Sequence, residues 1–407
     1  MDDKDVKQKK WIQRGGYALA AVFLAIAVYF GISILNNSIG PSYSIIQTLR
    51  TAAENANDLV PLKNEIIDLN GLEYSILQKN EIPDVASTVI KGTDNYLYIP
   101  VSDETDAAVP AGHISILGGY LKVKDIPLLY ISAPYKSGYR AKFLPVGVSD
   151  GTMATHEKFI SQISKNGVSV MDLSDSDITY FRTDHHWTIE SAFNTTGASI
   201  AKLKDLGFEI DPSSIVSDPG NYSSETLNNI FLGTIGRRVG ALYAGNDNFT
   251  YITPNFNTDI YFEYRSAGSI IQTKEGDFSN ALISPPVDTG QAPDYYSTYL
   301  NNGVNEIRVT NRLADNDKKL LIVGDSYGRP FGAFMSLYFA ETRILDVQPG
   351  RFGDSIFDYI DSYKPDAVIV LFSDIELYNN DVYKFGVEPE KWDTLARLFT
   401  QQSNPQN

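Results

Sequence analysis

From about residue 86 the chain alternates short apolar runs with segments whose apolar positions recur every three or four residues, a pattern of strands and helices in turn. Tyr96–Ile99, Pro127–Ile131 and Val168–Leu173 read as strands. Met153–Lys165 carries Phe159, Ile160 and Ile163 on one face and reads as a helix closed by Gly167. A second helix is predicted over 189–206, with Thr188 as N-cap and Gly207 as stop. Further on, Leu320–Val323 reads as a strand and Arg329–Glu341 as a helix bearing Phe331, Phe334, Met335, Tyr338 and Phe339. Ser355–Tyr363 reads as another helix, ended by Pro365. Ala367–Phe372 is apolar throughout, as a strand covered on both faces should be. This alternation predicts an α/β fold over 86–380, a parallel sheet flanked by helices.

Two regions break the rhythm. Residues 210–316 are rich in Asn, Asp, Ser, Thr, Gly and Tyr, with short runs such as Thr250–Ile252 and Asp259–Phe262, and read as a β-rich insertion. At the other end, Gly15–Leu35 carries no charge, and about 20 such residues span a bilayer as a helix. Lys4, Lys7, Lys9, Lys10 and Arg14 precede it. The positive-inside rule then keeps residues 1–14 in the cytoplasm, makes 15–36 a transmembrane helix and puts the rest outside the cell membrane. A cleaved signal peptide is the alternative; its apolar core is about 7–15 residues and ends in a small-x-small site. This run is longer and leads into Asn36-Asn37-Ser38-Ile39-Gly40. Residues 37–85 read as a partly helical stalk, with an apolar stripe over Ser44–Ala56, and 381–407 as a C-terminal helix and tail.

Composition narrows the chemistry. Apolar and charged fractions of 43% and 21% in 407 residues are those of a globular protein. A net charge of −16 argues against a nucleic-acid partner, whose phosphates require a basic face. With no Cys, thiolate catalysis, Cys-bound zinc and disulfides are excluded.

Two motifs remain. Gly324-Asp325-Ser326 follows the apolar run Leu320–Val323, where a strand should pass into a helix. The glycine permits a sharp turn there, and the helix start aims N–H groups at developing negative charge. Taken alone, Ser326 reads equally as a nucleophile and as a helix cap. The second motif is Asp184-His185-His186-Trp187, holding two of the four histidines. An aspartate two residues before His186 can hold its Nδ1–H and leave Nε2 free to take a serine proton. In an extended segment His185 faces away, so His186 is the base of choice, while Trp187 packs the loop. A metal site is the alternative, but no further ligand cluster at recognisable spacing accompanies the pair. His113 and His156 read as ordinary surface or helix positions.

These residues carry a resemblance. Asp184-His185-His186-Trp187 resembles the signature of the DHHW protein family, which belongs with the SGNH-hydrolase-like proteins of alginate and cell-surface polysaccharide O-acetylation. Ile90–Tyr98, the segment Ala133-Pro134-Tyr135-Lys136-Ser137 with Leu144-Pro145, and Lys364-Pro365-Asp366 are similar to further stretches of that group, so the likeness runs from about 88 to 378. It implies an SGNH-like fold in permuted motif order, with the Asp/His block before the serine block, and maps Asp184, His186 and Ser326 onto the family's catalytic residues. No Gly-x-Asn-Asp string supplies the usual oxyanion side chain, and Ser373-Asp374-Ile375-Glu376 stands where relatives often show Glu-Arg. The Ser326 N–H, Arg329, Tyr327, Trp187 and Lys136 are then the candidates for oxyanion and substrate contacts; Lys136 reads equally as a solvated surface lysine.

The expectation is a membrane-anchored extracytoplasmic serine acyltransferase or acetylesterase acting on O-acetyl groups of a polysaccharide, without a cofactor. Acetyl-CoA is not available outside the membrane, so a transferase implies a multi-pass membrane acyltransferase as donor. A non-catalytic glycan-binding or assembly module, using the Tyr-rich 210–316 stretch, is the second reading.

Overall fold

The computed structural model describes residues 63–84, 87–210, 214–303 and 305–399. The candidate membrane segment 15–36 and the stalk up to residue 62 lie outside them. Among the described residues no helix is long and apolar enough to cross a membrane. The chain divides into two units, Met1–Leu69 and Asn70–Asn407. Of the first, only Lys63–Leu69 are described, the opening of a helix over Lys63–Ile76.

An 8-stranded sheet organises the second unit. Its strands are β1 Leu128–Ala133, β2 Ser169–Asp172, β3 Ile260–Ser266, β4 Ser269–Gly276, β5 Glu306–Asn311, β6 Lys319–Gly324, β7 Glu341–Asp346 and β8 Ala367–Ser373, in spatial order β2-β1-β8-β6-β7-β5-β3-β4. The main helices are α1 Ala108–Val123, α2 Thr152–Lys165, α3 Ile189–Asp205, α4 Gly328–Met335, α5 Ile356–Tyr363 and α6 Pro389–Phe399. Successive strand residues point to opposite faces, so an apolar run feeds two cores. Leu129, Ile131, Leu320, Ile322, Ile369 and Leu371 join Ile189 and Ile200 of α3 and Phe331 and Phe334 of α4 on one side. Leu128, Tyr130, Leu321, Val323, Val368 and Val370 meet α1, α2, α5 and α6 on the other. Full cover of β1 and β8 is why these strands read as unbroken hydrophobic stretches.

The expected all-parallel sheet is half right. Strands β2, β1, β8, β6 and β7 are parallel, but beyond β7 the sheet continues through β5, β3 and β4, each antiparallel to the strand before it. Those three come from the 210–316 stretch, so part of the expected insertion extends the central sheet. Separate from it are a ribbon pairing Tyr222–Phe231 with Asp247–Pro254 and a two-residue pairing of Val287–Asp288 with Pro293–Asp294. The sequence signal was weak because this half of the sheet is solvated: β4 is exposed over most of its length, and β3 buries Ile260 and Phe262 in alternation. The helix after Gly-Asp-Ser also ends earlier than predicted, at Met335. The Ser336 hydroxyl turns back to the Ala333 carbonyl, and Glu341–Asp346 leaves as β7 to pair beside β6. Leu97–Tyr98 belongs to a small three-stranded sheet with Glu81–Ile82 and Val89–Lys91. Thr188 caps α3, accepting from the Ser191 N–H, and Gly167 and Gly207 follow their helices at positive φ, as expected.

The histidines set aside as ordinary are not. His113 donates its Nδ1–H to the Tyr383 carbonyl at 2.9 Å and stacks on Trp392, ring centres 3.6 Å apart. His156 of α2 is buried at the carboxyl ends of β1, β2 and β8, its Nδ1 3.0 Å from Asp374 and its Nε2 3.1 Å from Asp172. Ser132 donates to the other Asp374 oxygen at 2.5 Å. Burial alone would lower the His156 pKa, but the two carboxylates outweigh it and hold it at about 10. The imidazolium therefore stabilises the fold fully below its ordinary pKa of 6.5, and that contribution declines as pH rises through 10. His156→Asn should cost about 3 kcal/mol at pH 6, since it leaves a buried carboxylate without its counter-charge. The gap in urea midpoint between wild type and variant should narrow by pH 10.5; a constant gap would mean that charge is not involved.

Candidate active site

At the carboxyl end of β6 the chain turns on Gly324, where an added Cβ would meet the Leu371 carbonyl oxygen at 2.4 Å. Asp325 fixes the turn. Its Oδ1 accepts from the Tyr327 N–H at 2.9 Å, and its Oδ2 accepts from the Ser373 N–H at 2.8 Å, tying the end of β6 to the end of β8. The Gly328 N–H donates to the Asp325 carbonyl as α4 begins. Ser326 is thereby held at the strand-to-helix junction, with its side chain partly open.

The loop carrying Asp184 and His186 is built from the opposite direction. Asp247 accepts from the Arg182 N–H at 3.0 Å and from the Thr183 N–H at 2.7 Å. From beneath, Lys136 donates to the carbonyls of Phe181 at 3.1 Å, Arg182 at 3.3 Å and Asp184. Trp187 is fully buried and donates Nε1–H to the Tyr296 hydroxyl at 3.1 Å. Asp184 Oδ2 accepts from the N–H and the hydroxyl of Thr234, at 2.6 and 2.8 Å. Gly233, just before it, lies so close that a Cβ would sit 2.4 Å from the Asp184 Cβ.

The other oxygen, Oδ1, accepts from the His186 N–H at 2.9 Å and pairs with His186 Nδ1 at 2.6 Å. On the far side of the ring, Nε2 lies 2.7 Å from Ser326 Oγ. Burial alone would raise the Asp184 pKa, but His186, His185 and the Thr234 N–H outweigh it and hold it well below the ordinary value. An ionised Asp184 requires a proton on Nδ1, which leaves Nε2 as an acceptor facing a hydroxyl donor. A side chain so arranged can take a proton from serine as its oxygen attacks a carbonyl.

The structure thus joins Asp184, His186 and Ser326 in one hydrogen-bonded line, and commits most of the other candidates to contacts around it. Lys136 is neither a substrate contact nor a solvated lysine: it is buried, with its ammonium spent on three carbonyls. Burial pushes its pKa down to about 7, against the pull of Asp184 and Asp247. Tyr327 is buried too and donates its hydroxyl to the His185 carbonyl at 2.6 Å. Trp187 is a core residue with its one donor committed to Tyr296. Arg329 donates to Asn302 Oδ1 at 3.1 Å, and among the described residues its buried Nε has no partner. His185 lies over His186, ring centres 3.8 Å apart, with Nδ1 2.9 Å from the Thr234 hydroxyl. Asp184, His185 and His186 are close enough together to hold a metal ion, but Asp184 and the Nδ1 atoms of both histidines are already engaged in the hydrogen bonds above. Thr234, Asp247 and Tyr296 were missed by sequence reasoning, since each acts from a distant, irregular stretch with no motif of its own.

No protein-family model and no curated protein matches the chain. Solved structures do. PatB1 from Bacillus cereus, in a structure with a sulfonyl adduct, superposes with a TM-score of 0.60 at 18% identity, covering 75% of this chain and 98% of that one. A DHHW family protein from Eubacterium siraeum DSM 15702 superposes with a TM-score of 0.53 at 20% identity, covering 75% of this chain and 97% of that one. At these identities the likeness is one of fold. The resemblance to SGNH-like DHHW proteins read from the sequence is thus met by an α/β fold with a mixed central sheet that a DHHW family protein shares.

If Lys136 braces the loop, Lys136→Met should lower stability by about 2–4 kcal/mol, because three inward carbonyls lose a charged donor. Urea unfolding checks this. A variant of normal stability whose only defect is a raised KM would restore Lys136 as a substrate contact.

Proposed function

We propose that the protein is a serine acyltransferase or esterase acting on O-acetyl groups of a cell-surface or secreted polysaccharide. The observation that carries this reading is the unbroken hydrogen-bonded line Asp184–His186–Ser326. Ser326 Oγ passes its proton to His186 Nε2 and attacks the ester carbonyl carbon. Asp184 holds the imidazole and stabilises the imidazolium that forms. His186 then returns the proton to the departing alkoxide, leaving an acetyl-serine. Attack by water makes the protein an esterase, and attack by a sugar hydroxyl makes it a transferase.

Within the Gly-Asp-Ser turn the Tyr327 and Gly328 N–H groups are already committed to Asp325, so the Ser326 N–H is the backbone donor for the tetrahedral oxyanion. Arg329, one helical turn beyond the serine, is the side-chain candidate beside it. Support for acetyl chemistry comes from the sequence resemblance to the O-acetylation proteins. Anchoring by residues 15–36, an extracytoplasmic site and a multi-pass membrane acyl donor complete the proposal. The serine–histidine line favours it over a non-catalytic glycan-binding module, which has no need of a base aimed at a hydroxyl.

Ser326→Ala should lower release of p-nitrophenol from its acetate ester by about a thousandfold or more. Phenylmethylsulfonyl fluoride should modify the wild type on the peptide containing Ser326 and spare the variant, as peptide mass spectrometry would read. Undiminished turnover in Ser326→Ala removes the serine from the mechanism.

A further inference from the structure

His186 sits in a box of aromatic rings, with Tyr296 against one face and His185 against the other. The Tyr296 ring lies almost parallel to the imidazole, 15° between planes, with ring centres only 3.7 Å apart. Neutral aromatic pairs prefer offset or edge-on arrangements with centres about 4.5–7 Å apart, because two negative ring faces repel. Most of the other aromatic pairs obey that rule, Phe181 and Phe231 meeting edge-on at 5.0 Å; the exceptions under 4 Å among the described residues all include a histidine, His113 on Trp392 at 3.6 Å and 6° among them. A direct face-to-face approach is instead the arrangement that suits a cation over a π cloud.

Tyr296 is built in firmly. It is buried in the turn Tyr295–Thr298, its N–H donates to Asp294 at 3.2 Å, and its hydroxyl accepts from Trp187, the residue next to His186. The ring therefore keeps its place while the imidazole changes charge. We infer that Tyr296 is a positioning residue for acyl transfer at Ser326: its face holds the His186 ring in line with the serine and stabilises the imidazolium formed when the serine gives up its proton. This rests on the acyl-transfer reading above.

The remaining groups around the ring fit that role. Asp184 neutralises the imidazolium from the Nδ1 side. His185 covers the other face, and burial followed by the field of His186 lowers its pKa, so it adds no second positive charge there. Tyr327 lies 5.2 Å away at an angle of 46°. Asp294, whose pKa is raised by burial and then by Asp184, faces the same region together with Arg237 and Arg329, and Lys136 lies below the loop.

The test compares Tyr296→Phe with Tyr296→Leu in the full-length protein. Phenylalanine keeps the ring face and loses only the bond from Trp187, so its kcat should stay within about threefold of wild type. Leucine fills space without a π face; kcat should fall about tenfold or more with KM little changed, and the acid limb of the kcat/KM profile should move about one unit to lower pH. Leucine and phenylalanine variants that lose kcat equally, with the acid limb unmoved, would reduce Tyr296 to a packing residue. A second readout is independent of turnover: in NMR of histidine-labelled protein, the His186 ring signals should titrate at lower pH in Tyr296→Leu than in wild type or Tyr296→Phe. Identical titrations in all three overturn the inference even if the serine proves catalytic. A shift only in the leucine variant upholds the imidazolium contact even if Ser326→Ala shows that the acyl-transfer reading is wrong.

Discussion

One buried carboxylate organises the site. Asp184 has no exposed surface, and an unpaired charge at such a place would cost several kcal/mol. It is tolerated because donors converge on it from two directions: the His186 backbone and ring on one oxygen, the Thr234 backbone and hydroxyl on the other. The same bonds that satisfy the charge fix which His186 nitrogen faces Ser326. Solvation of a carboxylate and orientation of a base are here a single arrangement.

The sheet explains how so distant a set of residues can meet. Two apolar faces clamp β1, β8 and β6 between helix layers, so their carboxyl ends become a rigid platform. Ligand sites of open α/β sheets characteristically lie at those ends. Asp325 links the ends of β6 and β8, His156 gathers those of β1, β2 and β8, and Lys136 lifts the histidine loop from the end of β1. Each link runs through a buried polar side chain.

What could be read from the sequence follows from this division. The covered strands announce themselves because burial on both faces demands uninterrupted apolar residues, and the helices because their stops and caps are chemically distinctive. Asp184, His186 and Ser326 were legible because two local motifs carry all three. The antiparallel half of the sheet was not, since strands facing water on one side mix polar and apolar positions much as loops do. Nor were the supports. Lys136, Thr234, Asp247 and Tyr296 matter through contacts 45 or more residues away in the chain, and no local pattern distinguishes a lysine that holds carbonyls from one that faces solvent.

The order of the two blocks has a consequence for biogenesis. Asp184 and His186 precede Ser326 by about 140 positions, and the turn bearing the serine is locked to β8, a further 48 residues on. In the order of synthesis, then, residues 184–186 are made long before Ser326, and the bond that fixes the turn bearing Ser326 forms only once the last strand of the sheet has been added. A nascent chain therefore holds an imidazole without its partner hydroxyl, and the contact between His186 and Ser326 closes as a late event of folding.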